Sequence, residues 1–252
     1  SSTGRLYVSR SKDKGVSFTT DWIDGSTAAN TVGQYSSVKT SSSSIGVAYY
    51  DFLAANRRLK FAKKISATSP WIKYVVNGLS GGACAIGTTT DAGKFAKLQF
   101  TSDGRPAIAY QATESGVTVL KIAYATEALT STTYTWSCLT LDTSGVNNRG
   151  EGIDFYLDSE DIPHIVHYDT STPQIRYVTC ADAIGTCMSS ATNFTSERVT
   201  LVTGVVTNSS RAGVRKNSND TVYVSYYTTA DNSVVISSKA AGASTWTAKV
   251  VD

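Results

Sequence analysis

Gln34, Lys94, Glu151 and Arg211 recur at intervals close to sixty residues, each just after a glycine or serine. A second set, Tyr50, Gln111, Tyr168 and Tyr227, recurs at the same interval, with Asp51, Asp169 and Asp231 close behind. Tyrosine faces beside amides and carboxylates suit sugars, because the apolar face of a sugar ring stacks on an aromatic while its hydroxyls meet planar hydrogen-bonding groups. Carboxylates can also divide acid and base work at a glycosidic bond, and Asp51 with Asp169, or Glu151 beside Arg149 and Arg211, are the sets that would do so. The competing readings are structural: each Asp ends its strand and caps the following loop, and Tyr50, Tyr168 and Tyr227 serve equally well as packing residues. The columns differ from one copy to the next, which favours one composite site over an identical pocket in every repeat.

Other chemistries find no support. His164 and His167 lie three apart in an extended segment, so they face opposite sides and cannot hold one metal between them. No G-x-S-x-G, H-E-x-x-H or phosphate-cradling glycine loop occurs. No metal or cofactor is expected. Lysines and arginines are scattered among carboxylates at a net charge of only +3, which argues against nucleic acid as a partner. No apolar run approaches the roughly 20 residues that span a bilayer, so membrane insertion is not expected. The chain opens on polar Ser1-Ser2-Thr3 rather than a signal peptide, as a mature or excised segment would. Of the 4 cysteines, Cys180 and Cys187 bracket a short loop while Cys84 and Cys138 stand apart. Disulfides Cys180–Cys187 and Cys84–Cys138 are expected, which places the protein outside the cytosol, secreted or at a cell surface.

The elements that position these residues follow from the repeat. IGVAYYD, PAIAYQA, PHIVHYD and VYVSYYT align on Tyr49, Tyr110, His167 and Tyr226, spaced 61, 57 and 59 residues apart (110−49, 167−110, 226−167). Gly33, Gly93, Gly150 and Ser210 precede them by 16 or 17 residues and open another strand. A third strand follows around Leu59, Leu120, Ile175 and Val235, and a fourth begins near Trp71, Trp136, Phe194 and Trp246. Four antiparallel strands per repeat are the pattern of a β-propeller blade, and no 3.6-residue apolar period competes with them. Residues 4–25 align with the third and fourth strands alone. The expected fold is all-β, a single propeller of five blades: half a blade at 4–25, then blades at about 33–77, 93–142, 150–202 and 210–252. The missing strands of the half blade could lie in sequence outside this chain, be absent altogether, or come from another chain.

Ser11-Lys12-Asp13-Lys14-Gly15-Val16-Ser17-Phe18 resembles the Asp-box of sialidase-like propellers at Ser11, Asp13, Gly15 and Phe18, and Ser238 to Gly242 before Trp246 looks like a decayed copy. The resemblance implies a turn between the third and fourth strands in which Asp13 accepts backbone N–H groups, Gly15 takes a positive φ and Phe18 tucks beneath the blade. It also implies an active site of three convergent arginines, a tyrosine nucleophile with its glutamate, and a separate acid. The family's Arg-Ile-Pro stretch is missing, and the nearest sequence, Gly104-Arg105-Pro106, falls in a hairpin facing away from the site. Arg149, Arg211 and Glu151 fall in entrance loops, without a third arginine. The reading favoured on these grounds is a non-catalytic extracellular recognition module, not an enzyme, that binds a glycan or a cell-surface protein as part of a larger chain or a homo-oligomer. Second is a glycoside hydrolase of the sialidase-like clan with an atypical site.

Overall fold

Short apolar blocks bounded by Gly, Asn, Asp and Ser are too brief for amphipathic helices but suit half-buried or fully buried strands. The computed structural model bears this out; it describes residues 4–25, 32–42, 44–53, 55–79, 81–141, 148–199, 212–228 and 232–251. Strands β1 (Leu6–Arg10) and β2 (Thr19–Asp24) form a two-stranded sheet. Four antiparallel meanders of four strands follow. The first comprises β3 (Val32–Ser41), β4 (Ser44–Asp51), β5 (Arg58–Lys64) and β6 (Ile72–Gly78). The second comprises β7 (Thr89–Phe100), β8 (Pro106–Glu114), β9 (Val117–Ala125) and β10 (Trp136–Leu141). β11 (Glu151–Leu157), β12 (Pro163–Asp169), β13 (Gln174–Cys180) and β14 (Phe194–Arg198) make the third, and β15 (Gly213–Lys216), β16 (Val222–Thr228), β17 (Ser233–Lys239) and β18 (Thr247–Val250) the fourth. Register repeats with the sequence: Tyr49 pairs with Lys60, Tyr110 with Lys121, His167 with Arg176 and Tyr226 with Val235.

Among the described residues, the one departure from strands and turns is a four-residue helix, α1 (Ile184–Cys187), followed by a 3-10 turn at Ala191–Asn193. A single helical turn is shorter than any apolar period, so no sequence pattern announces it.

Apolar side chains collect at the junction between each sheet and the next. Leu6 and Ile23 meet Val47 and Tyr49 at the first junction, and Leu59 and Phe61 meet Leu98 and Ile108 at the second. Leu120 and Ile122 meet Phe155 and Ile165, then Val166 and Ile175 meet Val224 and Val235. The glycine column is explained at the same junctions. Gly33, Gly93 and Gly150 have φ of +98°, +111° and +81°, a region that favours glycine. A Cβ at Gly33 would sit 3.0 Å from the Leu6 side chain, one at Gly93 2.9 Å from Leu59 Cα, and one at Gly150 3.2 Å from Leu120 Cα. The first strands of the first three meanders therefore lie directly against β1, β5 and β9 of the sheets before them.

Polar ties reinforce the stack. Tyr49 Oη donates to Asp24 Oδ2 on the preceding sheet at 2.8 Å, and Tyr110 Oη accepts from Asn77 Nδ2 on the preceding sheet at 2.9 Å. Burial pushes the Asp24 carboxyl up, but the hydrogen bonds from Lys60 and Tyr49 outweigh it and hold the group down at about 2. Both expected disulfides form: Cys84–Cys138 joins the first two meanders, and Cys180–Cys187 closes the loop that carries α1. Two disulfides are consistent with an extracellular protein.

The stack has two open ends among the described residues. On the last meander Tyr223, Tyr227 and Ile236 are exposed, and on the first sheet Tyr7 and Trp22 are. The Ser11 to Phe18 turn forms as expected in its polar part: Ser17 N donates to Asp13 Oδ1 at 2.8 Å, Ser17 Oγ to Asp13 Oδ2 at 2.5 Å, and Gly15 has φ +93°. Those bonds, the Ser17 hydroxyl's first, hold the Asp13 carboxyl at about 2. Phe18 does not tuck away; it is 64% exposed, whereas Trp246 after the decayed copy is 6% exposed. Trp246 packs on Tyr177 of the sheet before it, at 5.4 Å between ring centroids. Phe18 belongs to the first sheet, which has no earlier sheet to receive it among the described residues.

Replacing Tyr110 by Phe leaves the Asn77 amide, whose Oδ1 has no partner among the described residues, with a second unsatisfied buried atom. Denaturant unfolding of Tyr110→Phe is expected to show a loss of about 1–3 kcal/mol, against a change within about 0.5 kcal/mol for Tyr227→Phe on the exposed face.

Candidate functional site

The first strand of each of the first three meanders begins with the same local device. Gly33-Gln34-Tyr35, Gly93-Lys94-Phe95 and Gly150-Glu151-Gly152 place the first and third residue at positive φ, with Tyr35 at +50°, Phe95 at +54° and Gly152 at +59°. Each triplet coincides with a break in ladder register, at Gln34/Ser37, Lys94/Lys97 and Glu151/Asp154. Bulges of this kind bend a strand and re-aim its side chains. Non-glycine residues at positive φ are costly, and two aromatics at equivalent places indicate that the surrounding structure holds them there.

Past the bulges the first strands are stitched side by side. Leu98 N donates to Ser37 Oγ at 3.0 Å, Gln99 Nε2 to the Phe155 carbonyl at 2.5 Å, and Val214 N to Asp154 Oδ2 at 3.1 Å. Four consecutive first strands thus line a shared axis. A cavity of about 260 Å³ lies among them, lined by Tyr35, Phe95, Lys97, Gly152, Asp154 and Ala212. A second cavity of about 330 Å³ adjoins it at the mouth, sharing Tyr35 and Phe95 and bounded by Lys94, Gln111, Asn148 and Glu151. The two rings stand 4.8 Å apart at their centroids.

Three of the sequence-predicted residues, Lys94, Gln111 and Glu151, come together in this mouth. Lys94 and Gln111 are ladder partners, as are Gln34 and Tyr50, and Glu151 and Tyr168, so the two predicted columns are neighbours across one strand pair. The remaining residues do not converge with them. Gln34 is exposed outside the mouth. Tyr50 is fully buried and donates to Asp91 Oδ1 at 2.7 Å, tying its sheet to the next. Asp51 and Asp169 are buried and accept from their own loops, from Leu53 N and Asn56 in one case and from Ser171 and Thr172 in the other. Arg149 is buried with Nη2 3.5 Å from Asp169 Oδ2, and Tyr168 is buried between sheets. Tyr227 lies on the open face of the last meander, where its hydroxyl meets Asn232 at 2.8 Å. Arg211 and Asp231 lie outside the described residues. Arg105 is at the far end of β7 from Lys94, paired with Asp103 at 2.8 Å. His164 is buried between Tyr177 and Asp158, and His167 accepts from Gly150 N at 3.2 Å.

Sequence reasoning missed Tyr35, Phe95, Lys97 and Asp154. The available signal was an aromatic two residues after the column glycine in two repeats, replaced by Gly152 in the third.

Within the mouth, burial pushes the Glu151 carboxyl above its ordinary value. Lys94 Nζ is held by Asp91 at 2.9 Å. A carboxyl whose proton is held more tightly than usual, beside aromatic side chains, is the kind of group that can donate to a leaving-group oxygen.

No protein-family model matches the chain. No curated protein matches it either. Solved structures do. An exo-beta-1,3-galactanase from Phanerochaete chrysosporium, determined with beta-1,3-galactotriose, superposes with a TM-score of 0.52 at 12% identity, over 87% of this chain and 50% of that one. An alpha-L-arabinofuranosidase from Lactobacillus brevis gives 0.52 at 9% identity, over 86% and 72%. A leech intramolecular trans-sialidase complexed with 2,7-anhydro-Neu5Ac gives 0.51 at 14%, over 89% and 33%. This chain spans half the length of the first of these and a third of the last. At such identities the likeness is one of fold, a β-propeller-like all-β architecture. It nonetheless corrects the expectation of a non-catalytic recognition module that is not an enzyme: the structures sharing the fold are glycan-processing enzymes, the class that the sequence reading ranks second.

The raised carboxyl at Glu151 has a consequence for stability. A folded-state value above the unfolded one means that the native state holds its proton longer, so stability falls as pH rises from about 4.5 through the folded value. Glu151→Gln is expected to match the parent protein below that window and to exceed it at neutral pH, as read by denaturation at pH 4 and pH 7.5.

Proposed function

We propose that this chain is a glycoside hydrolase of the sialidase-like clan, built on a five-bladed β-propeller and acting outside the cytosol, with Glu151 as the general acid. The observation that carries the reading is the Glu151 carboxyl, pushed up by burial, in an axial mouth walled by Tyr35 and Phe95. The half sheet followed by four meanders supports the blade count, the Asp13 turn supports the clan, and the enzymes that share the fold support the reaction class.

A sugar ring stacked on the aromatic pair places its glycosidic oxygen toward Glu151, whose proton passes to that oxygen as the bond to the anomeric carbon breaks. Water adds to the anomeric carbon, and the proton it sheds replaces the one Glu151 gave, leaving two free sugars. Asp154 lines the adjoining cavity with its Oδ2 ion-paired to Arg215 at 2.9 Å, so it is not assigned to the proton transfer. The site departs from the clan's arginine-rich pattern, since Arg149 is turned to Asp169.

Turnover of a panel of arabinofuranosides, galactosides and sialosides, as oligosaccharides and as aryl glycosides, tests this. Glu151→Gln is expected to lower kcat/KM on oligosaccharides by about 100- to 10,000-fold, and far less on aryl glycosides whose leaving group needs no proton. Absence of turnover on the whole panel, or turnover indifferent to Glu151→Gln, would count against it.

A further inference from the structure

The axial cavity beneath the mouth carries a charge imbalance that the proposed acid does not use. Lys97 lines it, half-buried, and among the described residues no carboxylate stands within ion-pair distance of its ammonium. The carboxylate in the same cavity, Asp154, is already committed, with Oδ2 accepting from Arg215 at 2.9 Å and from Val214 N at 3.1 Å. Lys94 at the mouth is matched by Asp91 at 2.9 Å. Among the described residues lining the two adjoining cavities, the one cation left without a counter-charge is therefore Lys97, in a cavity that Tyr35, Phe95, Gly152 and Ala212 also line.

We propose that Lys97 selects an anionic sugar, a residue carrying a carboxylate or a sulfate ester, whose charged group enters the axial cavity while its ring lies on Tyr35 and Phe95. Resting on the reading of these cavities as the glycan site, this assigns the substrate class: acidic rather than neutral glycans. A partly desolvated ammonium discriminates strongly, because a neutral hydroxymethyl group in the same place leaves the charge unmatched.

The test is equilibrium binding by calorimetry, which needs no turnover. The probes are glucuronic and galacturonic acid glycosides, 6-sulfated glucose and galactose, and their neutral parents. At least one acidic sugar is expected to bind roughly 10- to 100-fold more tightly than its neutral parent, and the uronate and sulfate arms tell which group is recognised. Lys97→Met is expected to abolish the preference and Lys97→Arg to keep it, which separates lost charge from lost folding. Glu151→Gln should retain the preference, so a protein that binds acidic sugars without cleaving them would sink the hydrolase reading alone. No acidic sugar binding better than its parent, or a preference that survives Lys97→Met, would overturn the inference.

Discussion

The contact on which the architecture depends is that between a glycine near the start of the first strand in each of the first three meanders and a leucine of the preceding sheet, on β1, β5 and β9 in turn. Leu6 against Gly33, Leu59 against Gly93 and Leu120 against Gly150 repeat one geometry at three junctions. The absence of a Cβ lets two backbones approach, and the positive φ turns the chain at the same point. The sheet spacing, and the direction in which each first strand leaves the junction, are set there. The tyrosines that reach back to Asp24 and Asn77 act on the same junctions from within the sheet and fix the stack against sliding.

That constraint also makes the site. Because the turn at the glycine is followed by a bulge, the next residue reaches the mouth at two of the three junctions, as Lys94 and Glu151, while Gln34 stays outside it; the residue after that, Tyr35, Phe95 or Gly152, lines the cavity. The residue after the glycine differs at each junction, Gln34, Lys94 and Glu151 in turn, while the one after that is aromatic twice and glycine once. A scaffold of equivalent junctions thereby produces a mouth that is aromatic on one side and open on the other. The carboxyl at Glu151 owes its raised value to that enclosure, since burial is the cause of its shift.

The sheets were legible in the sequence because the repeat of about sixty residues is carried by residues with one required environment. Tyr49, Tyr110, His167 and Tyr226 are all fully or almost fully buried, and burial tolerates few substitutes. The site was legible only in part. Lys94, Gln111 and Glu151 were found because they occupy columns that end at the axis, but the same columns suggested Tyr50 and Asp51, which turn inward. A side chain at a strand exit faces in or out according to register, and a bulge shifts register without a mark in composition. Tyr35 and Phe95 escaped notice for the same reason, their direction being a property of backbone conformation. Phe18 misled because its local motif was sound while the sheet that would cover it is not among the described residues. The functional reading erred by weighing the missing arginines of one clan, whereas a raised carboxyl depends on enclosure, which no short motif reports.

The most direct test of the account is a crystal structure of Glu151→Gln soaked with arabino-, galacto- and uronate-containing oligosaccharides. The expected result is a sugar ring on the Tyr35 and Phe95 faces, with its glycosidic oxygen within hydrogen-bonding distance of residue 151. A saccharide seated instead on the open face of the last meander, around Tyr223 and Tyr227, with the axial mouth empty, would contradict it.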